Sequence, residues 1–190
     1  MKRYLFLLLF LTGFSSLSQA SLLFNFDDDG LQNPIPTNYK GLIFSNIFEF
    51  TASQSNFGTP LASNPVGNIV GYNGYENDSS IGIASGTFTF NGGLFARGYL
   101  DDVGATLSLT GMLGNQTLYS FNQVIDSTSV YDLTLNWTGI DKLTISGSRN
   151  YVTFDNLLFN APVTPNLASA PSVLSILLVG LVFLRFRKSN

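Results

Sequence analysis

The chain contains no cysteine and no histidine. Without cysteine it can form no disulfide, so its stability has to come from packing. Without either residue it has no Cys nucleophile, no Ser-His-Asp triad and no zinc site built on nitrogen or sulfur donors. Charge is scarce as well, at 11% of residues. Residues 21 to 160 hold all 12 acids but only four bases, Lys40, Arg97, Lys142 and Arg149, a net charge of −8 against −3 for the whole chain. Such a body repels phosphate backbones and anionic headgroups, which are bound by clustered Lys and Arg, so nucleic acid is excluded as a partner. Carboxylate chemistry and hard-cation binding remain open.

The 190 residues suit one domain with appendages. The opening, MKRYLFLLLFLTGFSSLSQA, sets Lys2 and Arg3 before an apolar run from Tyr4 to Phe14. Small residues at Ser18 and Ala20 then mark a signal-peptidase site, so residues 1–20 read as a signal peptide cut between Ala20 and Ser21. The alternative is an uncleaved N-terminal anchor. The remaining body of about 140 residues is long enough to bury its own core.

Residues 21–160 read as an all-β domain, an antiparallel, jelly-roll-like sandwich. Short apolar-alternating runs recur about every ten residues, separated by Gly, Asn, Asp, Ser and Pro, and no stretch has a helical period. The expected strands are 22–26, 41–50, 68–72, 85–92, 94–100, 105–113, 117–125, 130–138, 142–147 and 151–159. In 105–113, Ala105, Leu107, Leu109 and Leu113 share one face. In 130–138, Tyr131, Leu133, Leu135 and Trp137 alternate with Asp132, Thr134, Asn136 and Thr138. One dry and one wet face belong to an antiparallel sheet, and two such sheets make a sandwich. Trp137 shares the dry face, so it reads as core and not as a sugar platform. Tyr72 and Tyr75, in GYNGYEND, are better candidates for exposed aromatics, with loop anchoring as the ordinary alternative.

Acids cluster at NFDDDG (25–30), YLDDVG (99–104) and FDNL (154–157). The first imitates a calcium loop at Asn25, Asp27, Asp29 and Gly30, but Pro36 stands where such a loop needs a bidentate Glu, so an EF-hand is rejected. Asp-Asp-Gly runs are commonly turns, and turn duty is also expected of Asp101 and Asp102. Asp155 differs. The run 151–159 is apolar on both faces, so Asp155 or Asn156 lies at the margin of the core and needs a partner, either a calcium ion or ordinary hydrogen bonds. Paired carboxylates also raise a glycosidase, although no second acid is tied to Asp155 by spacing.

At the other end, residues 161–168 read as a linker and 169–190 as a hydrophobic helix with a basic end. From Val173 to Leu184 only Ser175 and Gly180 interrupt ten apolar residues, which favour membrane insertion by roughly −3 to −6 kcal/mol. Twelve helical residues reach about 18 Å, short of a hydrocarbon core of about 30 Å. Extending back to Leu167 gives about 20 residues, with Pro171 in the first turn, a marginal inner-membrane span. Arg185, Arg187 and Lys188 would stay cytoplasmic and leave the sandwich outside.

A marginal span with Pro171 at its entrance and a basic terminus resembles the PEP-CTERM sorting signal of Gram-negative bacteria. Ser169-Ala170-Pro171-Ser172 stands in place of the usual Pro-Glu-Pro, as in the Ser-Ala-Pro variant. The stretch FDD…IPTNYKGLIFSN and the closing Phe154-Asp155-Asn156-Leu157 also look like the opening and final strands of such ectodomains. The resemblance implies cleavage near Ala170 and Pro171 by an exosortase, then delivery to the cell surface or extracellular matrix. It also implies a jelly-roll domain like carbohydrate-binding modules, whose first and last strands share a structural calcium. Asp27 or Asp28 would then meet Asp155 around one ion. The function expected is that of a non-enzymatic surface or matrix protein associated with exopolysaccharide or biofilm. The alternative is a carbohydrate-binding module with a specific glycan ligand, and a carboxylate glycosidase is the remote one.

Overall fold

Strict alternation needs a buried face, and the chain supplies two that close on each other. A computed structural model describes residues 19–28, 34–52, 59–63, 68–98, 104–126, 128–147 and 151–162. Among the described residues there are twelve strands: β1 (Gln19–Phe24), β2 (Asn38–Tyr39), β3 (Leu42–Ser45), β4 (Ile47–Thr51), β5 (Ile69–Asn73) and β6 (Ser79–Gly82), then β7 (Phe88–Arg97), β8 (Thr106–Leu113), β9 (Gln116–Val124), β10 (Tyr131–Ile140), β11 (Lys142–Ser146) and β12 (Val152–Pro162). They form two six-stranded sheets. The first runs β10-β7-β12-β5-β4, with β1 also paired to β12; the second runs β2-β3-β6-β11-β8-β9. The pairings are antiparallel, from β1–β12 through β8–β9. The first and last strands are neighbours, with Ser21 opposite Asn160 and Phe24 opposite Leu157.

Aromatic rings fill the space between the sheets. Phe24, Phe44, Phe88, Phe90, Phe95, Phe154 and Phe159 are all 3% exposed or less. Phe24 meets Phe159 edge to face at 5.7 Å, and Phe90 lies 5.2 Å from Phe159. Pairs of this kind add about 0.5–1.5 kcal/mol each beyond area burial, which suits a domain that has no disulfides. Adjacent residues on a strand point to opposite faces, so Phe95 joins this core while Ala96 joins a smaller cluster on the outer side. That cluster, with Phe50, Leu61 and Val70, sits under a 3-10 turn at Pro60–Ser63.

Several strands differ from the expectations, β1 among them, which ends at Phe24 and not at residue 26. The run 41–50 is two strands, because Asn46 takes φ 55° and turns the chain from the second sheet into the first. The runs 85–92 and 94–100 fuse into β7 through Gly92-Gly93. Strands β2 and β6 are short and polar enough to escape a pattern search. Leu113 is 44% exposed, because it stands at the last position of β8, beside the turn into β9 and beyond the cover of the facing sheet. The alternation of β10 holds as read, and Trp137 is buried in the core.

Residues 1–18 and 163–190, which carry most of the expected signal peptide and the whole of the expected anchor, lie outside the described residues, as do Asp101 and Asp102. Among the described residues no helix is long and apolar enough to cross a membrane. Strand β1 begins at Gln19, so a cut after Ala20 would remove two of its six pairs with β12.

Candidate functional site

Three places hold polar or aromatic groups that packing alone does not require. The first is the seam where β12 changes neighbours. On one side of β12, β5 pairs at Thr153 and Phe154, and β1 pairs from Leu157 onward. Asp155 falls in the gap between them and is 2% exposed. Its Oδ1 accepts the Asn156 backbone N–H at 2.7 Å. Burial pushes its carboxyl up to about 7, against the pull of that hydrogen bond, and the negative charge of Asp27 adds to the rise. Asp27 is fixed in turn, its Oδ1 accepting the N–H groups of Asn68 and Ile69, both at 2.8 Å, at the head of β5. Asp28 points elsewhere and pairs with Lys40 at 2.8 Å on the surface.

Of the two carboxylates expected beside Asp155, the one whose charge reaches it is therefore Asp27. Asn25 stands one residue beyond the Phe24–Leu157 pair, and its Oδ1 is buried without a hydrogen-bond partner. The two carboxylates and the orphaned amide oxygen thus stand on neighbouring stretches at the end of β1 and in β12, and oxygen donors of this kind suit a hard cation. Among the described residues no group of three or more His, Cys, Asp or Glu side chains is placed to hold a metal. Backbone carbonyls and Asn25 would have to complete the shell.

The second place is an aromatic corner made by β4, β5, the β5–β6 loop and the start of β12. Tyr75 takes φ 52° and Glu76 φ 57°, two consecutive left-handed positions without glycine. That conformation persists only where the surroundings enforce it. Here Asn46 enforces it: its Nδ2 donates to the carbonyls of Gly74 at 2.9 Å and Asp78 at 3.2 Å, and its own carbonyl accepts the Gly74 N–H at 2.9 Å. Asn73 ties the loop to β12, its Nδ2 donating to the Asn77 carbonyl and its Oδ1 accepting the Val152 N–H. Gly74 must be glycine, since a Cβ there would strike the Phe48 ring and Asn46 Oδ1. The result is Tyr75 held outward at 73% exposure, its ring 5.5 Å from Phe48 and nearly perpendicular to it. Phe48, Tyr72, Tyr75 and Tyr151 line a cavity of about 170 Å³. The sequence marked Tyr72 and Tyr75. It gave no sign of Asn46 and Asn73, whose role depends on contacts far along the chain.

The third place is a crease on the first sheet, where β10, β7 and β12 all break register at one level. Its cavity of about 530 Å³ is lined by Asn91, Gly92, Gly93, Asn136, Asn156 and their neighbours. Sequence reading missed it, although Gly-Gly inside a strand is a bulge signal.

No family model matches the chain, and no curated protein matches its sequence. Solved structures that superpose on it include TmCBM61 in complex with β-1,4-galactotriose, at TM-score 0.39 and 9% identity over 65% of this chain and 90% of that one. Another is the K1 cleaved adhesin domain of Lys-gingipain from Porphyromonas gingivalis W83, at TM-score 0.40 and 12% identity over 75% of this chain and 98% of that one. The overlap is loose, and no ligand or partner passes from those proteins to this chain.

Proposed function

We propose that this chain is an exported, non-enzymatic glycan-binding domain displayed at the cell surface or in the extracellular matrix. The observation that carries the reading is Tyr75. A tyrosine costs little conformational entropy to present, and here its loop is already pinned in a strained conformation. A large exposed ring over a small aromatic-lined cavity suits the apolar face of a sugar ring, while the phenol and backbone groups meet its hydroxyls. Hydrolysis has no place in this reading. Asp155 is 2% exposed, out of reach of a glycosidic oxygen, and Asp27 spends Oδ1 on two backbone amides.

Delivery follows the resemblance to PEP-CTERM proteins: signal peptidase acts between Ala20 and Ser21, and an exosortase-type enzyme acts near Ala170 and Pro171. The segment Val173–Leu184, with Arg185, Arg187 and Lys188 behind it, serves as the transient anchor. Calcium belongs to the same proposal. Asp27, Asp155 and Asn25 Oδ1 would hold the ion, which would neutralise a buried carboxylate and tie β1 to β12.

A glycan array probed with the exported protein tests the central reading. Saturable binding to a sugar, weakened about ten-fold or more in Tyr75→Ala, is expected, because stacked aromatics carry a disproportionate share of such affinities. An array with no saturable signal overturns glycan binding and leaves a matrix protein without a defined sugar ligand.

A further inference from the structure

The crease assigns a second ligand site to the domain, and we propose that it takes a neutral, disaccharide-length segment of glycan. It is separate from the Tyr75 corner, although it rests on the same glycan-binding reading. Three adjacent strands carry irregularities in one row. The β10–β7 register shifts between Thr134 and Trp137, and the β12–β7 register shifts between Asp155 and Leu158, with Gly92 paired to both Thr134 and Leu158. At that level Asn136, Gly92 and Asn156 take φ 53°, 144° and 49°. A single bulge leaves one residue's backbone groups out of the ladder and bends the strand. Three side by side bend the sheet along a line across it and leave unladdered amides and carbonyls along that line.

The close approach of the three strands at this level depends on missing side chains. A Cβ at Gly92 would run into the Leu133 carbonyl, and one at Gly93 would stand 2.7 Å from Leu157 Cδ2. Across the crease, Asn91 Nδ2 donates to Asn136 Oδ1 at 2.9 Å, which fixes both amides. Thr134 and Asn136 are exposed, and Leu94 and Leu158 give the lining apolar patches.

This chemistry selects a ligand. Asn and Thr side chains with free backbone groups match hydroxyls, which both donate and accept. The lining has no Lys or Arg, and its only ionisable group is Asp132, in a body of charge −8, so phosphates and anionic polysaccharides are disfavoured. An extended peptide is disfavoured by direction, because the crease runs across the strands and offers no ladder to continue. Three strands span two inter-strand gaps, about 10 Å, the length of a disaccharide. With the Tyr75 corner, one domain would hold glycan at two points and could cross-link chains.

Hydrogen exchange read by mass spectrometry on the exported protein tests this, with cellobiose, maltose and lactose as probes. Slowed exchange in peptides covering Gly92–Leu94 and Leu133–Asn136 with at least one sugar is expected. Asn136→Gly keeps the left-handed backbone but removes the amide, and it should weaken that protection about ten-fold in sugar concentration. Protection confined to residues 72–78 overturns the crease and leaves the Tyr75 reading intact. Protection confined to the crease does the reverse, and an unchanged response in Asn136→Gly counts against the crease.

Discussion

Tyr119 and Trp137 stack face to face, their ring centroids 5.4 Å apart and their planes within 9° of parallel. Tyr119 lies on β9, at the edge of one sheet, and Trp137 on β10, at the edge of the other, so the pair closes the open side of the sandwich. The Tyr119 hydroxyl donates to the Thr138 carbonyl at 3.1 Å, which locks the stack in place. Trp137→Ala should therefore cost about 3–5 kcal/mol, and Tyr119→Phe, which keeps the stack, about 1 kcal/mol. Denaturant melts followed by circular dichroism check both values. Equal losses in the two variants would mean that the stack itself contributes nothing.

Calcium provides the second prediction. If it binds only the folded domain, calcium at about 100 times its dissociation constant adds about 2.7 kcal/mol. The melting temperature of the protein should rise with calcium over chelator, and Asp155→Ala should abolish the rise. Asp28→Ala should keep it, since Asp28 is engaged with Lys40. Identical curves with and without the ion sink the proposal.

Asp155 also sets a pH dependence in the absence of calcium. Its folded value of about 7 lies above the ordinary 3.8, so between those values the folded chain holds a proton that the unfolded chain has released. Stability from this group is therefore full below about pH 4, falls as pH rises toward 7 and is level above, by at most roughly 4 kcal/mol. Asp155→Asn should remove that slope when melting temperatures are compared with the parent from pH 4 to 8. Calcium, which needs the ionised form, should bind more weakly below pH 7. A variant that keeps the parent's slope assigns the titration to another group.

Asn46 would join stability to recognition on the glycan-binding proposal. Asn46→Ala loses the loop's hydrogen bonds and strains φ, and should cost about 2–3 kcal/mol. Asn46→Gly relieves the strain but not the lost bonds, and should sit between Ala and the parent. Both should loosen Tyr75 and weaken sugar binding. Full affinity in Asn46→Gly would show that the pinned loop is irrelevant to binding.

Processing is checked by mass spectrometry of the protein from its native host. A mature N-terminus at Ser21 and loss of the chain beyond about Ala170 or Pro171 are expected. A surface form that still carries residues 171–190 would reduce the tail to a plain anchor.

The β class, the dry face of β10 and the burial of Trp137 were legible because alternation is a local signal. So was the awkwardness of Asp155, a carboxylate in a strand apolar on both faces. What stayed hidden were events that depend on distant partners. Asn46 looks like any strand asparagine until Gly74 and Asp78 arrive from another part of the chain. The crease needed three strands, from 88–97, 131–140 and 152–162, to fall into one register. A single sequence shows Gly92-Gly93 as a weak point but not what lies opposite it. The pairing of β1 with β12 was expected from resemblance and not from any residue pattern.

That pairing also governs how the domain would bear a pull. The chain leaves the sandwich through β12, a strand hydrogen-bonded to β7 on one side and to β5 and then β1 on the other. Tension applied beyond Pro162 enters through an interior strand and loads its hydrogen bonds together, in shear. An edge strand such as β4 or β10 is held by a ladder on one side only. Anything seated in the crease would bear on β12 directly through Asn156, and on β10 and β7 beside it. A protein hung from a surface in flowing water would be built this way round.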